Sequence, residues 1–112
     1  MDDDLTLSID MVTPLTLMTN ELTTNSFKYA FNKYLGREKI IYKSIKLFEK
    51  DNQKYCEFKY TDNGIGLPDN FDVLKTKSLG WKIILSLIGQ LDGEYKLFND
   101  NGLNFTLIFP VK

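Results

Sequence analysis

The sequence predicts an α+β domain, a two-layer α/β sandwich in which helices cover one face of a mixed, mostly antiparallel sheet. Two observations favour this class. Apolar residues recur with helical spacing in two segments of the 112-residue chain, whereas several shorter segments alternate apolar and polar residues as strands do. Turn residues separate consecutive strand segments, which is typical of antiparallel hairpins. The predicted order is β-α-β-β-α-β-β, and the length suits one domain over residues 1–112.

The first predicted elements are a short strand and a long helix. Residues 5–9 alternate apolar and hydroxyl side chains, which indicates the strand. Pro14 suits the first turn of the helix, with Thr13 as its N-cap. The helix is predicted to continue to about Tyr34 and to end at Gly36. Its apolar stripe consists of Leu15, Met18, Leu22 and Tyr29.

A hairpin is predicted next, with strands at 40–48 and 55–60 on either side of the turn residues Asp51 and Asn52. Alternation places three residues of its second strand on one face, namely Cys56, Phe58 and Tyr60. The segment 64–78 contains a proline and little regular apolar pattern, so we expect a loop there.

A second helix is predicted over 80–91, stopped by Asp92 and Gly93. A final hairpin follows, with strands at 95–98 and 104–109. The helical residues expected in the core are Ile84, Leu87, Ile88 and Leu91.

Composition excludes several classes of function. The chain has no histidine, so it has no histidine metal site, no catalytic triad and no histidine of its own to phosphorylate. A net charge of −1 gives no general reason to expect nucleic acid or an anionic membrane as partner. No apolar run could span a bilayer, and the acidic residues 2–4 are unlike the basic start of a signal peptide. The chain has one cysteine, Cys56, which excludes an internal disulfide and suits a reducing compartment. We therefore expect a cytoplasmic domain without direct membrane contact. The Cys56 side chain itself is expected in the core.

The first predicted helix carries a polar stripe, and a glycine turn follows a later predicted strand. Glu21, Asn25, Lys28 and Asn32 fall within a wedge of roughly 60° on a helix. Residues 62–66, Asp-Asn-Gly-Ile-Gly, follow a predicted strand. Separately, these are an ordinary solvated helix face and an ordinary turn. Together they are the layout of a nucleotide site, because the stripe can serve phosphates and metal while the glycines let backbone approach the ligand.

Further candidates surround the start of the second helix. Ser78 and Gly80 open it, either as a plain N-cap or also as an anion site. Nearby lysines could contact phosphates or be simply exposed; they are Lys75, Lys77 and Lys82. Phe71 and Trp81 are expected in core or lid packing rather than in a partner surface.

Four segments in order resemble the GHKL superfamily of ATPases and kinases. Residues 19–31, TNELTTNSFKYAF, resemble its N box, and 62–68, DNGIGLP, resemble its first glycine box. Residues 78–80, SLG, are similar to a shortened second glycine box, and 101–110, NGLNFTLIFP, are similar to its closing hairpin. These motif sequences most resemble those of the ATP-binding catalytic domains of sensor histidine kinases, and the resemblance implies the Bergerat fold.

The resemblance implies roles for individual residues. Asn25 would bind the Mg²⁺ that bridges the phosphates of ATP, and Lys28 would face phosphate oxygens. Asp62 would accept a hydrogen bond from the adenine amino group. Glu21 would act as a base or only orient a Mg²⁺-bound water, and both readings stay open. The implied ATP-binding set is Asn25, Lys28, Tyr29, Asp62, Gly64, Ile65, Gly66, Ser78, Leu79, Gly80 and Lys82.

The chain also departs from the family pattern. The lid segment between Gly66 and Gly80 is short, with Phe71 as the remnant of an aromatic motif. Leu103 stands where the closing motif usually has Thr after Gly. These departures concern contacts of the lid and of waters beside adenine.

The resemblance implies a fragment of a larger sensor histidine kinase that transfers the γ-phosphoryl group of ATP to a histidine outside this chain. Its partners would be the dimerisation and histidine phosphotransfer domain of the same polypeptide and a response regulator receiver domain. The isolated chain would be inactive or turn ATP over slowly. Two alternatives remain: a serine kinase of the anti-sigma-factor type, and a degenerate nucleotide site that serves as a protein-interaction module.

Overall fold

The computed structural model describes residues 7–30, 38–67 and 71–111. Its elements, in chain order, are α1 (Ile9–Asn25), which continues as a π-helical turn (Ser26–Ala30), β1 (Ile41–Lys50), β2 (Gln53–Asp62), a 3₁₀ turn (Val73–Lys75), α2 (Leu79–Gln90), β3 (Glu94–Asn99) and β4 (Leu103–Pro110). Two helices and a four-stranded sheet confirm the α+β class. Within the described segments, neither helix is long and apolar enough to cross a bilayer.

The sheet has the order β1-β2-β4-β3, and each pair of neighbours is antiparallel. The expected mixed sheet is therefore wrong for the described strands, all of which are antiparallel. Both hairpins were predicted correctly; β1 begins one residue later than predicted, and every other strand end extends one or two residues further. Asp51 and Asn52 have φ angles of 53° and 64°. Two consecutive positive φ angles twist a two-residue turn in the same sense as its strands, and Asn and Asp tolerate that conformation.

Helix α1 begins earlier than the sequence suggested. It begins at Ile9 after Ser8, whose carbonyl accepts bonds from the Met11 and Val12 amides at 3.0 Å each. The strand predicted over 5–9 and the cap at Thr13 are thus wrong at Ile9 and Thr13, and residues 5 and 6 lie outside the described part. The extra turn is stabilised by tertiary packing, because the side chain of Met11 is buried in the core. Tyr34 and Gly36, the predicted helix end, also lie outside the described residues.

Helix α2 follows the prediction closely. The Ser78 hydroxyl accepts a bond from the Trp81 amide at 3.4 Å, as an N-cap does. At the other end, Asp92 has a φ of 55°, and the Gly93 amide donates to the Ile88 carbonyl at 3.0 Å. These bonds satisfy the last carbonyls of the helix and stop it where expected.

The core lies between the helices and one face of the sheet. Its buried residues on the helices, and on the C-cap of α2, are Met11, Leu15, Met18, Leu22, Trp81, Ile84, Leu87, Ile88 and Leu91. Those on strands β2 and β4 are Cys56, Phe58, Tyr60, Leu103, Phe105, Leu107 and Phe109. Because side chains alternate along a strand, the face of β2 that carries Cys56, Phe58 and Tyr60 also carries Asp62. The sheet therefore directs a carboxylate towards the helices at the end of its second strand.

Candidate functional site

A cavity of about 300 Å³ opens where the ends of α1 and β2 meet the start of α2. This volume is at the lower end of small-molecule pockets, which span roughly 300–1,000 Å³. The residues that line it are Asn25, Ser26, Asp62, Ile65, Gly66, Leu67, Phe71, Ser78, Trp81 and Leu103. The walls are mostly apolar, with a few polar groups that converge on one hollow, as in sites for small organic ligands.

Asp62 is the buried charge of this cavity, with only 5% of its surface exposed. Its Oδ1 atom accepts bonds from the backbone amides of Gly64 at 3.0 Å and Leu103 at 3.1 Å. Its Oδ2 atom accepts a bond from the Ser26 hydroxyl at 2.7 Å. A carboxylate has about four acceptor positions, so these donors leave capacity on Oδ2 for a ligand.

A buried tyrosine lies behind Ser26. The hydroxyl oxygens of Tyr60 and Ser26 are 2.6 Å apart. Burial is the main cause that raises the pKa of Tyr60, so its hydroxyl stays protonated at neutral pH. The polar floor of the cavity is thus a hydrogen-bonded network within the core.

The loop after β2 is fastened by Asn99 at the end of β3. The Asn99 side chain accepts from the Leu67 amide and donates to the Leu67 carbonyl, each at 2.8 Å. Gly66 has a φ of +79°, and a Cβ there would lie 2.7 Å from Asn99 Oδ1. Glycine is therefore required at residue 66 both by its backbone conformation and by the close approach of Asn99.

Asn25 and Glu21 meet the start of α2 at Gly80. A Cβ on Gly80 would lie 3.0 Å from Glu21 Oε1 and 3.4 Å from Asn25 Oδ1. Among the buried side-chain nitrogen and oxygen atoms of the described residues, Asn25 Nδ2 alone lacks a hydrogen-bond partner. A buried amide without a partner is uncommon in native proteins and points to a missing ligand, ion or water.

The structure brings together part of the predicted set. Asn25, Asp62, Ile65, Gly66 and Ser78 line one cavity. The Gly64 amide donates to Asp62, and Gly80 lies against the Asn25 side chain. Other predicted residues are exposed and are not among the described lining residues: Lys28, Leu79 and Lys82, as well as Lys75 and Lys77. The side chain of Tyr29 and residue Asn32 lie outside the described part. The roles of the whole set towards a nucleotide remain predictions.

Phe71 and Trp81 form the aromatic wall, with ring centroids 5.8 Å apart. Trp81 is also buried in the core, which confirms its predicted packing role. The same side chain lines the cavity. Cys56 is fully buried, as expected of a small core residue.

Sequence reasoning missed Ser26, Leu67 and Asn99. Ser26 directly follows Asn25, but helical geometry would turn it towards the core, and only Asp62 and Tyr60 explain a buried hydroxyl there. Strand alternation from Cys56 to Asp62 was the available signal for a carboxylate at that depth. Asn99 gave no local signal, because its partner Leu67 is 32 residues away in sequence.

The donor set is suited to a metal only in part. The described residues contain no group of three or more acidic or cysteine side chains that could hold an ion by themselves. Mg²⁺ keeps several waters and often takes few protein ligands beside substrate phosphates. The unpartnered atom of Asn25 is the amide nitrogen, a donor that suits a phosphate oxygen, whereas a Mg²⁺ held mainly by a nucleotide would need the Oδ1 atom of the same side chain.

The fold is a two-helix, four-strand α+β domain that matches solved structures of histidine kinase domains. The histidine kinase domain of the Erythrobacter litoralis EL346 blue-light activated histidine kinase matches with a TM-score of 0.77 and 18% identity, over 91% of this chain and 45% of that one. A second structure of the blue-light activated histidine kinase from the same organism matches with a TM-score of 0.82 and 18% identity, over 97% of this chain and 33% of that one.

The sequence is similar to a particular curated protein, sensor histidine kinase PdtaS of Mycobacterium tuberculosis. The identity is 27% over 108 residues, which cover 94% of this chain. The chain spans about a fifth of that relative's length, 21%. No protein-family model matches the chain. These similarities support a domain related to histidine kinases.

Proposed function

We propose that this chain is the ATP-binding catalytic domain of a two-component sensor histidine kinase, with the GHKL type of nucleotide site. It would bind Mg²⁺-ATP and transfer the γ-phosphoryl group to a histidine on another domain. The relatives support this class, and they do not favour the serine-kinase alternative. The observation that carries the proposal is that the buried carboxylate of Asp62 and the unpartnered amide of Asn25 line one cavity.

The chemistry of Asp62 suits adenine. With Oδ1 bonded to two backbone amides, the remaining acceptor capacity lies on Oδ2. An exocyclic amine can donate to that oxygen, whereas the 6-carbonyl of guanine or hypoxanthine would oppose it. A site whose buried polar group requires a donor strongly rejects a ligand that lacks one. Apolar side chains, chiefly those of Ile65, Leu103 and Trp81, would contact the purine ring.

The phosphates would extend towards Asn25 and the N-terminus of α2. The free amides and dipole of a helix start favour anions, and Gly80 lets that start approach Asn25 closely. Lys28 and Lys82 are exposed and can move to phosphate oxygens. When bound, Mg²⁺ would offset phosphate charge, with Asn25 as its protein ligand.

Phosphoryl transfer depends mainly on positioning and on charge stabilisation. Glu21 would either accept a proton from the attacking imidazole or orient a water on Mg²⁺. Because the chain has no histidine, the acceptor must come from another domain. The proposed partners are therefore the dimerisation and phosphotransfer domain of the kinase and a response regulator receiver domain.

The proposal is tested by calorimetry with ATP, GTP and ITP, each with and without Mg²⁺. We expect ATP to bind best. In Asp62→Asn, Oδ1 must remain an oxygen to accept its two backbone bonds, so the new amide faces the ligand as a donor. We expect ATP affinity to fall by about tenfold or more, the effect of losing a hydrogen bond to a charged group, and ITP to gain relative to ATP. Asn25→Ala should mainly remove the Mg²⁺ dependence.

Matched controls are available at exposed positions. Asp51→Asn makes the same chemical change in the exposed β1–β2 turn, and Asn20→Ala makes the same change on an exposed position of α1. Neither should alter nucleotide selectivity or metal dependence. Equal binding of ATP, GTP and ITP by the wild type would contradict the role of Asp62. Absence of any nucleotide binding would support the protein-interaction alternative instead.

A further inference from the structure

A short chain of hydroxyl groups supports the carboxylate of the proposed adenine site. Tyr60, Ser26 and Asp62 are all buried, with 0%, 1% and 5% of their surfaces exposed. The contacts are 2.6 Å from Tyr60 to Ser26 and 2.7 Å from Ser26 to Asp62 Oδ2. Distances this short are typical of strong O–H···O bonds, particularly where one partner is charged.

The direction of these bonds follows from counting protons. A serine hydroxyl has one proton, and an ionised carboxylate can only accept. Ser26 therefore donates to Asp62, so its contact with Tyr60 must be one in which Tyr60 donates. The side chain of Thr23 also bonds the Tyr60 hydroxyl, which gives that hydroxyl a second partner. The chain of donors thus runs from the core towards the cavity.

Ser26 decides where the free acceptor of Asp62 points. Both backbone donors, the amides of Gly64 and Leu103, hold Oδ1. The Ser26 hydroxyl donates to Oδ2, which is the oxygen with acceptor capacity left for a ligand. Without it, rotation about the Cβ–Cγ bond, which moves both oxygens, would be opposed only by the two bonds to Oδ1, so Oδ2 would be held less tightly towards the ligand.

We propose that Ser26 is a positioning residue that sets the preference of this site for 6-aminopurines, by fixing Asp62 Oδ2 towards the exocyclic amine. This rests on the proposed function and adds a specificity element to it. Ser26 lies directly after Asn25, where α1 becomes a π-helical turn. One short segment therefore holds both the proposed metal ligand and the group that orients the purine acceptor.

The test compares ATP with purine riboside 5′-triphosphate, which differs only by lacking the 6-amino group. Calorimetry on the wild type gives the affinity ratio of the two nucleotides. In Ser26→Ala we expect this ratio to fall by about tenfold, since the lost bond is one to a charged group. Affinity for the analogue should stay within about twofold of wild type, because it never used the Oδ2 acceptor. Ser26→Thr, which keeps the hydroxyl, should recover most of the ratio.

Ser78→Ala is the matched control. Ser78 lines the same cavity, but its hydroxyl bonds the Trp81 amide and not Asp62. Any loss of affinity in this variant should be equal for the two nucleotides and leave their ratio unchanged. A purely structural effect of Ser26→Ala would have the same pattern and would overturn the proposal.

A second variant covers the case in which Ser26→Ala does not fold. Tyr60→Phe keeps the bond from Ser26 to Asp62 and removes only the donor behind it, so the ratio should fall by about threefold, as for a neutral hydrogen bond. An unchanged ratio in Ser26→Ala, or in Tyr60→Phe where Ser26→Ala does not fold, refutes the role of Ser26 alone. Failure of the wild type to prefer ATP over the analogue refutes the role of Asp62 and this inference together.

Discussion

Gly102 determines how closely the final hairpin can approach the proposed adenine site. Its φ angle is +130°, a conformation that side-chain-bearing residues rarely adopt. A Cβ there would collide with the carbonyl oxygen of Asp62, and would lie 2.8 Å from the Asp62 carbonyl carbon and 3.0 Å from Asn63 Cα. These are backbone atoms, so no side chain can rotate away to relieve the clash.

The magnitude for Gly102→Ala follows from two contributions. A non-glycine residue in a disfavoured backbone region costs about 1–3 kcal/mol. Displacing well-packed backbone costs roughly another 1–3 kcal/mol. We expect a loss of about 2–6 kcal/mol, a large share of the roughly 5–15 kcal/mol that stabilises a domain. At about 4 °C per kcal/mol the melting temperature should fall by about 8 °C or more.

Gly89→Ala is the matched substitution with the opposite expected sign. Gly89 lies inside α2, is exposed, and has no atom within 4 Å of an added Cβ. Alanine is the better helix former by about 1 kcal/mol, so this variant should be slightly more stable than wild type. Urea unfolding followed by the fluorescence of Trp81, the single and buried tryptophan, reports both variants. If Gly102→Ala unfolds at the wild-type urea concentration, the tight approach of the closing turn to Asp62 is refuted.

Three further predictions concern other contacts of the site and core. Asn99→Ala should remove the hydrogen-exchange protection of the Leu67 amide and weaken adenine nucleotides, whereas protection at the far end of the sheet is retained; unchanged exchange at Leu67 would contradict the clamp. Gly80→Ala should leave thermal stability equal or higher by up to about 1 kcal/mol, yet weaken Mg²⁺-ATP because the new methyl group displaces Glu21 and Asn25; tighter binding would be the opposing result. Burial raises the pKa of the Cys56 thiol from 9.0 to about 11, so the stability contributed by the protonated thiol is complete below pH 9 and is lost as the pH rises through about 11. The slope of unfolding free energy against pH in that window should be smaller in Cys56→Ala.

Local chemistry made most of the elements predictable. Asp51 and Asn52 favour positive φ angles, Ser78 is a good N-cap, and apolar spacing marks the buried side of α2. These features depend on residues that are neighbours in sequence, so no knowledge of the rest of the fold was needed. The start of α1 was not predictable in this way, because the extra turn before Pro14 is stabilised by burial of Met11 in the core.

The candidate site also has features that the sequence predicts and features that depend on the tertiary structure. The residue types at 25 and 62 could be read from spacing and from resemblance. The bonds from Ser26 and Leu103 to Asp62 and the clamp of Asn99 on Leu67 join positions 32 to 41 residues apart. Such pairings depend on how strands and helices pack, which local patterns do not contain.

By itself the sequence determined the α+β class, the two hairpins, the second helix and the residues that could serve a nucleotide. Only the tertiary structure decided that the sheet is antiparallel throughout its described strands, that α1 begins at Ile9, and that Ser26 donates to Asp62 within a shared cavity. The physical reason is range. Backbone preferences and side-chain periodicity act over a few residues, whereas the orientation of a buried carboxylate is fixed by donors that folding brings from distant parts of the chain.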